Sequence, residues 1–230
     1  MPRETVLFDI NETVLDLSPL KPKFAVALGD PAAASTWFAM LLHASTVCAL
    51  TGVRTGFAEL AGLMLDRLAA LKGRDLESSE RSDILDSFAS LTPHADVQPA
   101  LENLRSHGYR TVAFSNSSQD LVTRQIANSG LAPFFNSVLS VEATGSFKPD
   151  GKVYAFAATR LERPIGDLRL VAAHDWDTHG ALTAGMQAAY LDRSGASYNP
   201  LFRKPDIVET TMGDIAASVI AADRAANAAH

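Results

Sequence analysis

Four short apolar runs in this chain each lead into residues that carry charge or donate hydrogen bonds, and that repetition limits the fold more than any other feature. Thr5-Val6-Leu7-Phe8 ends at Asp9, and Thr111-Val112-Ala113-Phe114 ends at Ser115-Asn116-Ser117-Ser118. Ser137-Val138-Leu139 leads to Lys148-Pro149-Asp150, and the run from Leu168 to Ala173 ends at His174-Asp175-Trp176-Asp177. A fifth run, Gln187 to Leu191, follows. Continuous apolar runs this short read as strands buried on both faces. Helical patterns separate them, at about 97–107, 119–128, 151–161 and 178–184. Strand and helix in alternation predict a parallel sheet with helices on both faces, an α/β Rossmann-like fold.

The grammar differs between the first strand and Pro93. Ser18-Pro19-Leu20-Lys21-Pro22 is expected to interrupt the chain, and from Thr36 to about Ala89 the pattern is helical. Trp37, Met40, Leu41, Ala44, Val47 and Cys48 recur at spacings of three and four, with Phe38 and Leu42 as a second apolar edge. Two further helices are marked by Phe57, Leu60, Ala61, Met64 and Leu68, and by Ile84, Leu85, Phe88 and Leu91. The reading is a core made of 1–16 and 93–230, with a helical insertion at 17–92. A further helix is expected from Ala216 to His230.

Several classes are disfavoured. A net charge of −6 without a basic run makes nucleic acid a poor partner. A small anionic ligand stays compatible, because local pocket charge can oppose the global sign. One cysteine, Cys48, forms no internal disulfide and fits a reducing, cytoplasmic location. The most apolar region, 38–53, is interrupted by His43, Ser45, Thr46 and Thr51 and falls short of the roughly 20 apolar residues of a membrane span. The opening Met1-Pro2-Arg3-Glu4, followed by Asp9 and Glu12, does not read as a signal peptide.

Ligands of open parallel sheets sit at the carboxyl ends of strands, which makes the polar strand endings the candidate site. Phe8-Asp9 with Thr13, a strand ending in Ser115, then Lys148, then the acidic segment Asp175 to Asp177 together resemble the haloacid dehalogenase superfamily. Within it, Phe114-Ser115-Asn116-Ser117, Phe147-Lys148-Pro149-Asp150 with Tyr154, and Trp176-Asp177 with Gly180-Ala181 look most like L-2-haloacid dehalogenases. The resemblance implies hydrolysis of short 2-haloalkanoic acids to 2-hydroxy acids, with no metal and no organic cofactor, in a chain that often forms homodimers. It makes Asp9 the nucleophile, flanked by Ile10, Asn11 and Thr13. Lys148 would keep Asp9 ionised, and Asp177 would hold the lysine or orient water. Ser115 and Asn116 would bind the substrate carboxylate or halide, Trp176 would line the halide cradle, and Tyr154 would reach the lysine or the carboxylate. The helical insertion 17–92 matches the family's cap.

The departures carry information of their own. Phosphatases of the superfamily place a second Asp two residues after the nucleophile to protonate the leaving group; Asn11 cannot do this, which weighs against a Mg²⁺-dependent phosphatase, the alternative reading. The family's Gly after that position is Glu12, and an Asn of its fourth motif is His174. Together they suggest a carboxylate–imidazole pair in which neutral His174 activates water. Where the family's cap has an arginine, this chain has Phe38, predicting an apolar leaving-group wall; Arg54 is the first arginine of the insertion.

Overall fold

In a computed structural model, which describes residues 5–228, the first strand, β1, runs Thr5–Phe8. Four helices follow: α1 (Lys21–Leu28), α2 (Ala33–Thr51), α3 (Phe57–Leu71) and α4 (Ser78–Phe88). The chain then alternates: α5 (Val97–Ser106), β2 (Arg110–Ser115), α6 (Gln119–Asn128), β3 (Ser137–Ser140), α7 (Gly151–Leu161), β4 (Leu168–Ala172), α8 (Asp175–Ala184) and β5 (Gln187–Leu191). It closes with β6 (Ile207–Glu209) and α9 (Met212–Ala228). Met1 to Glu4 and the expected end of the C-terminal helix at His230 lie outside the described residues.

The sheet has six strands in the order β3-β2-β1-β4-β5-β6, every neighbouring pair parallel. The chain winds from β1 outward to β3, then returns to the other side of β1 with β4. That reversal opens a crevice at the carboxyl end of β1. Phe8 is in register with Ala113 of β2 and Val171 of β4, so Asp9 emerges between the ends of those two strands. The Asp9 N–H continues the ladder to the Val171 carbonyl at 3.0 Å.

The insertion leaves and returns side by side. Leu15 pairs with Pro93, the Asp16 N–H bonds the Thr92 carbonyl at 2.9 Å, and the His94 N–H bonds the Val14 carbonyl at 3.0 Å. Three features differ from the sequence expectation. Lys21-Pro22, expected to interrupt the chain, opens α1, because proline is well suited to a first helical turn. α8 starts at Asp175, three residues earlier than the apolar periodicity indicated, with Asp175 and Asp177 favourably placed in its first turn. The three-residue β6 was too short to register.

α2 is a single 19-residue helix, and by length and composition alone it is apolar enough to cross a membrane, longer than the interrupted stretch seen in the sequence. Its buried side chains, Trp37, Phe38, Leu41 and Cys48 among them, pack into the hydrophobic core. Trp37 packs edge-on to Phe88 and against Phe24, and its indole N–H donates to the Ala61 carbonyl at 2.9 Å. The Trp37 and Leu41 edge is therefore not free to form a dimer interface; the large apolar residues that this helix exposes are Val47 and Leu50.

Trp37→Ala removes a fully buried indole and its hydrogen bond, and should destabilise the protein by about 3–5 kcal/mol. Leu50→Ala, at a position 85% exposed, should lie within about 0.5 kcal/mol of the parent. Urea unfolding of the three proteins checks both.

Candidate active site

The strand endings converge on one lysine. Lys148, 1% exposed, donates from Nζ to Asp9 Oδ1 at 3.1 Å, to Asp177 Oδ2 at 2.9 Å and to the Phe114 carbonyl at 2.9 Å. Its three protons are thereby used, and Nζ lies 4.6 Å above the Phe114 ring. Burial alone would push the lysine toward neutrality; Asp177 and then Asp9 reverse this and raise its pKa above the ordinary lysine value.

Asp9 is held at both oxygens. Oδ1 takes the lysine, and Oδ2 accepts the Thr13 hydroxyl at 2.8 Å. Thr13 in turn accepts the Ala173 N–H at 2.9 Å, so β4 fixes the threonine that fixes the nucleophile candidate. Burial would raise the Asp9 pKa; Lys148, then His174, then Thr13 outweigh it and hold the carboxyl far below the usual carboxylate range. Asp177 moves the other way: burial, helped by the Asp9 charge, lifts its pKa against the pull of Lys148.

Glu12 and His174 are in contact. His174 Nε2 lies 2.8 Å from Glu12 Oε2, and Nδ1 lies 3.4 Å from Asp9 Oδ2. The second contact is an ion pair only, since among the described residues Nδ1 completes no hydrogen bond. Burial disfavours the charged ring, but Asp9 and Glu12 prevail and push its pKa up to about 10. The expected pair is thus present, while the expected neutral imidazole is not its resting form. Glu12 has φ +65°, a left-handed backbone that suits glycine and is strained for glutamate.

Other candidates fall where expected, or are used differently. Ser115 is fully buried and accepts the Ser117 N–H at 3.1 Å, leaving its own proton to give. Asn116 Oδ1 accepts the Lys148 N–H at 3.0 Å, which fixes the amide with its NH₂ as the donor end. Trp176 stacks on His174 at 5.2 Å between centroids, and Phe38 faces the same ring at 6.4 Å. Tyr154 reaches neither lysine nor any open position; its hydroxyl donates to Asp177 Oδ1 at 2.6 Å, so it positions Asp177. Asn11 is likewise not presented to a substrate. Its amide donates to Ser117 Oγ at 3.2 Å and accepts from Gln125 at 3.0 Å. Ile10 is a core side chain and has only its backbone near the site. Arg54 is exposed beside Gly145, on the link from β3 to α7.

Gln125 is not among the sequence candidates, and Gly180 enters them only through the motif resemblance. Gln125 interrupts the apolar stripe of Leu121, Val122 and Ile126 on α6, and it bonds both Asn11 and the Phe88 carbonyl. Gly180 lies where a Cβ would come within 2.6 Å of the Tyr154 hydroxyl and of Pro149 Cβ. Among the described residues no group of three or more His, Cys, Asp or Glu is arranged to hold a metal ion.

A family model of haloacid dehalogenase-like hydrolases matches residues 4–168. The chain is similar to an (S)-2-haloacid dehalogenase of Pseudomonas fluorescens, 28% identical over 143 residues, which are 62% of this chain and 63% of that protein. The chain therefore spans less than two thirds of that relative. (S)-2-haloacid dehalogenase H-109 of Pseudomonas putida is 25% identical over 216 residues, 93% of this chain and 96% of that one. The structure of L-2-haloacid dehalogenase from Xanthobacter autotrophicus with chloropropionic acid covalently bound is similar with a TM-score of 0.85 at 22% identity, over 94% of this chain and 98% of that chain. At that identity the likeness concerns the fold.

Two outcomes follow from this geometry. Because the His174 pKa stands near 10 against an ordinary 6.5, its ion pairs stabilise the fold fully below about pH 6.5. That contribution fades as pH rises towards 10, so the urea midpoint should fall across this window, and His174→Asn should flatten the fall. Gly180→Ala should drive the Tyr154 hydroxyl off Asp177 and destabilise by about 1–3 kcal/mol, whereas Ala181→Gly should leave the Tyr154 contact in place. The loss of the contact is read from the Tyr154 ring signals in NMR spectra.

Proposed function

The chain belongs to the haloacid dehalogenase-like hydrolase family, and within that family we propose that it hydrolyses short 2-haloalkanoic acids, such as haloacetates and L-2-halopropionates, to 2-hydroxy acids. The observation that carries this reading is the setting of Asp9. It is a carboxylate kept ionised at a strand end, with Lys148 on one oxygen and Thr13 on the other. Such a group is a nucleophile at carbon. The curated relatives' names and the covalently bound chloropropionic acid of the Xanthobacter protein support the same chemistry.

In the proposed first step an Asp9 oxygen attacks the halogen-bearing carbon, and the halide departs with the bonding electron pair. The substrate carboxylate lies toward the start of α6, where the Ser115 hydroxyl and the Asn116 amide donate. Phe38 and Trp176 wall the leaving-group side. Water then attacks the carbonyl carbon of the Asp9 ester and releases the hydroxy acid. A halide leaves as a stable anion and needs no general acid, which fits an Asn11 whose amide is committed to Ser117 and Gln125. The proposal includes neither a metal nor an organic cofactor.

Halide release from a panel of 2-halo acids, run beside phosphate monoesters with Mg²⁺, tests this. The expected result is halide release that EDTA does not affect, D-2-hydroxy acid formed from L-2-halo acid, and no phosphate release. Displacement at carbon inverts the centre once, and ester hydrolysis leaves it alone. Activity lost to chelator and restored by Mg²⁺ would return the phosphatase reading, and retained configuration would exclude the Asp9 ester.

A further inference from the structure

His174 is wedged between two carboxylates, and only one of them survives the first step as a charge. Nε2 lies 2.8 Å from Glu12 Oε2, and the buried Nδ1 lies 3.4 Å from Asp9 Oδ2. The remaining neighbours do not carry a competing anion to the ring. α2 offers Phe38 and α8 offers Trp176, both uncharged. The Asp175 carboxylate is engaged by the Asn199 N–H at 3.2 Å, and His94 contacts Glu12 through its carbonyl, at 3.2 Å. Lys148 acts on Asp9 from its other oxygen, at 3.1 Å. The charge of His174 is therefore set by Asp9 and Glu12, and Asp9 is the group that the proposed reaction neutralises.

We infer that His174 is a base for ester hydrolysis that the first step switches on: esterification of Asp9 removes the anion beside Nδ1, the ring gives up its proton, and neutral Nδ1 then accepts one from the attacking water. The inference rests on the Asp9-ester reading and assigns the second step to this chain's own His174. In the resting state the ring is an imidazolium, which has no lone pair to accept a proton, so it cannot act as a base prematurely. When the Asp9 oxygen bonds the substrate carbon and halide leaves with its electron pair, the anion at Asp9 becomes a neutral ester and its ion pair with the ring ends. The Nδ1 proton passes to solvent, while Glu12 keeps its contact with Nε2. The Glu12 side chain is 38% exposed and lines a cleft of about 240 Å³ with Asp16, Ser18, Lys21, His94 and Arg193.

Water then adds to the Asp9 carbonyl carbon, giving one proton to His174. The acyl–alkoxide bond breaks, and the second water proton goes to the departing alkoxide. Asp9 is again a carboxylate, His174 again an imidazolium, and the balance is one halide, one hydroxy acid and one proton for each substrate and water consumed. Glu12 stays ionised throughout and keeps Nε2 protonated and the ring oriented. The order of events is specific: the proton leaves after halide and before hydroxy acid.

Two measurements test this. In the first, ¹⁵N-histidine NMR follows the titration of His174 in the parent and in Asp9→Asn, whose neutral amide stands for the discharged carboxylate. The midpoint should fall by roughly 1–3 pH units in the variant; an unchanged midpoint overturns the inference. In the second, excess enzyme is mixed with L-2-chloropropionate in weak buffer while chloride, a pH indicator and hydroxy acid are followed. Proton release should precede hydroxy acid in the parent. A proton that emerges only with hydroxy acid overturns the inference. His174→Asn should release one chloride per site without that early proton. It should accumulate an ester on Asp9, seen by intact mass and peptide mapping, and turn over roughly 10²–10⁴-fold more slowly. His174→Asn at parental kcat also overturns the inference. If the parent releases no chloride and forms no adduct, the ester reading itself falls, and with it the base role; the NMR titration still separates that failure from an absence of Asp9–His174 coupling.

Discussion

A lysine ammonium buried to 1% exposure is unstable unless each of its protons meets an acceptor. Lys148 finds its acceptors on three separate elements: Asp9 after β1, the Phe114 carbonyl on β2 and Asp177 on α8. The requirement therefore works as a geometric clamp. It fixes how far β1 and β2 run before their side chains turn inward, and where α8 begins. Gly180 belongs to the same constraint, because only a residue without Cβ lets Tyr154 reach the second oxygen of Asp177. Removing one partner leaves an uncompensated buried charge, so these residues stand or fall together.

The clamp also separates two carboxylates that sequence alone would treat alike. Both touch Lys148. Asp9 additionally has His174 and the Thr13 hydroxyl, and its pKa falls despite burial; for Asp177, burial and the repulsion of Asp9 outweigh Lys148 and the Tyr154 hydroxyl, and its pKa rises. One carboxylate is held charged, as the proposed nucleophile requires, and the other is tied in place by Lys148 and Tyr154. Glu12 extends the pattern. Its backbone adopts a conformation that glycine takes freely, and a strained residue at such a place persists when its side chain is committed elsewhere, here to His174.

The sheet, the helical insertion and most of the site were legible because strand periodicity and polar strand endings are local signals. Asp9, Thr13, Lys148 and Asp177 are each announced by their position after an apolar run. What was hidden depends on distance. The sequence places Tyr154 six residues after Lys148, but not that its hydroxyl crosses to Asp177. It shows that Asn11 is no acid, but not that Ser117 and Gln125 occupy its amide. The charge of His174 was misread for a related reason: an imidazole's ordinary pKa suggests a neutral base, and only the simultaneous approach of two carboxylates shows otherwise. α1 was lost to a rule about Pro22 that holds inside helices and not at their starts.

The division of labour between insertion and core follows from where the charges lie. Asp9, Glu12, Lys148, His174 and Asp177 all belong to the sheet side, and among the described residues the insertion's ring contact with this cluster is Phe38 on His174. An imidazolium beside Phe38 and Trp176 has aromatic rings to rest against in addition to its two carboxylates. The insertion is tethered instead at its return, where Gln125 and Asn128 donate to the Phe88 and Ala89 carbonyls at 2.9 and 3.0 Å. Parting α2 from the site therefore breaks apolar contacts, worth about 25 cal/mol per Å², and breaks none of the ion pairs that hold Asp9. Under the proposed function, a substrate is admitted past Phe38 while Asp9, Lys148 and His174 keep their geometry.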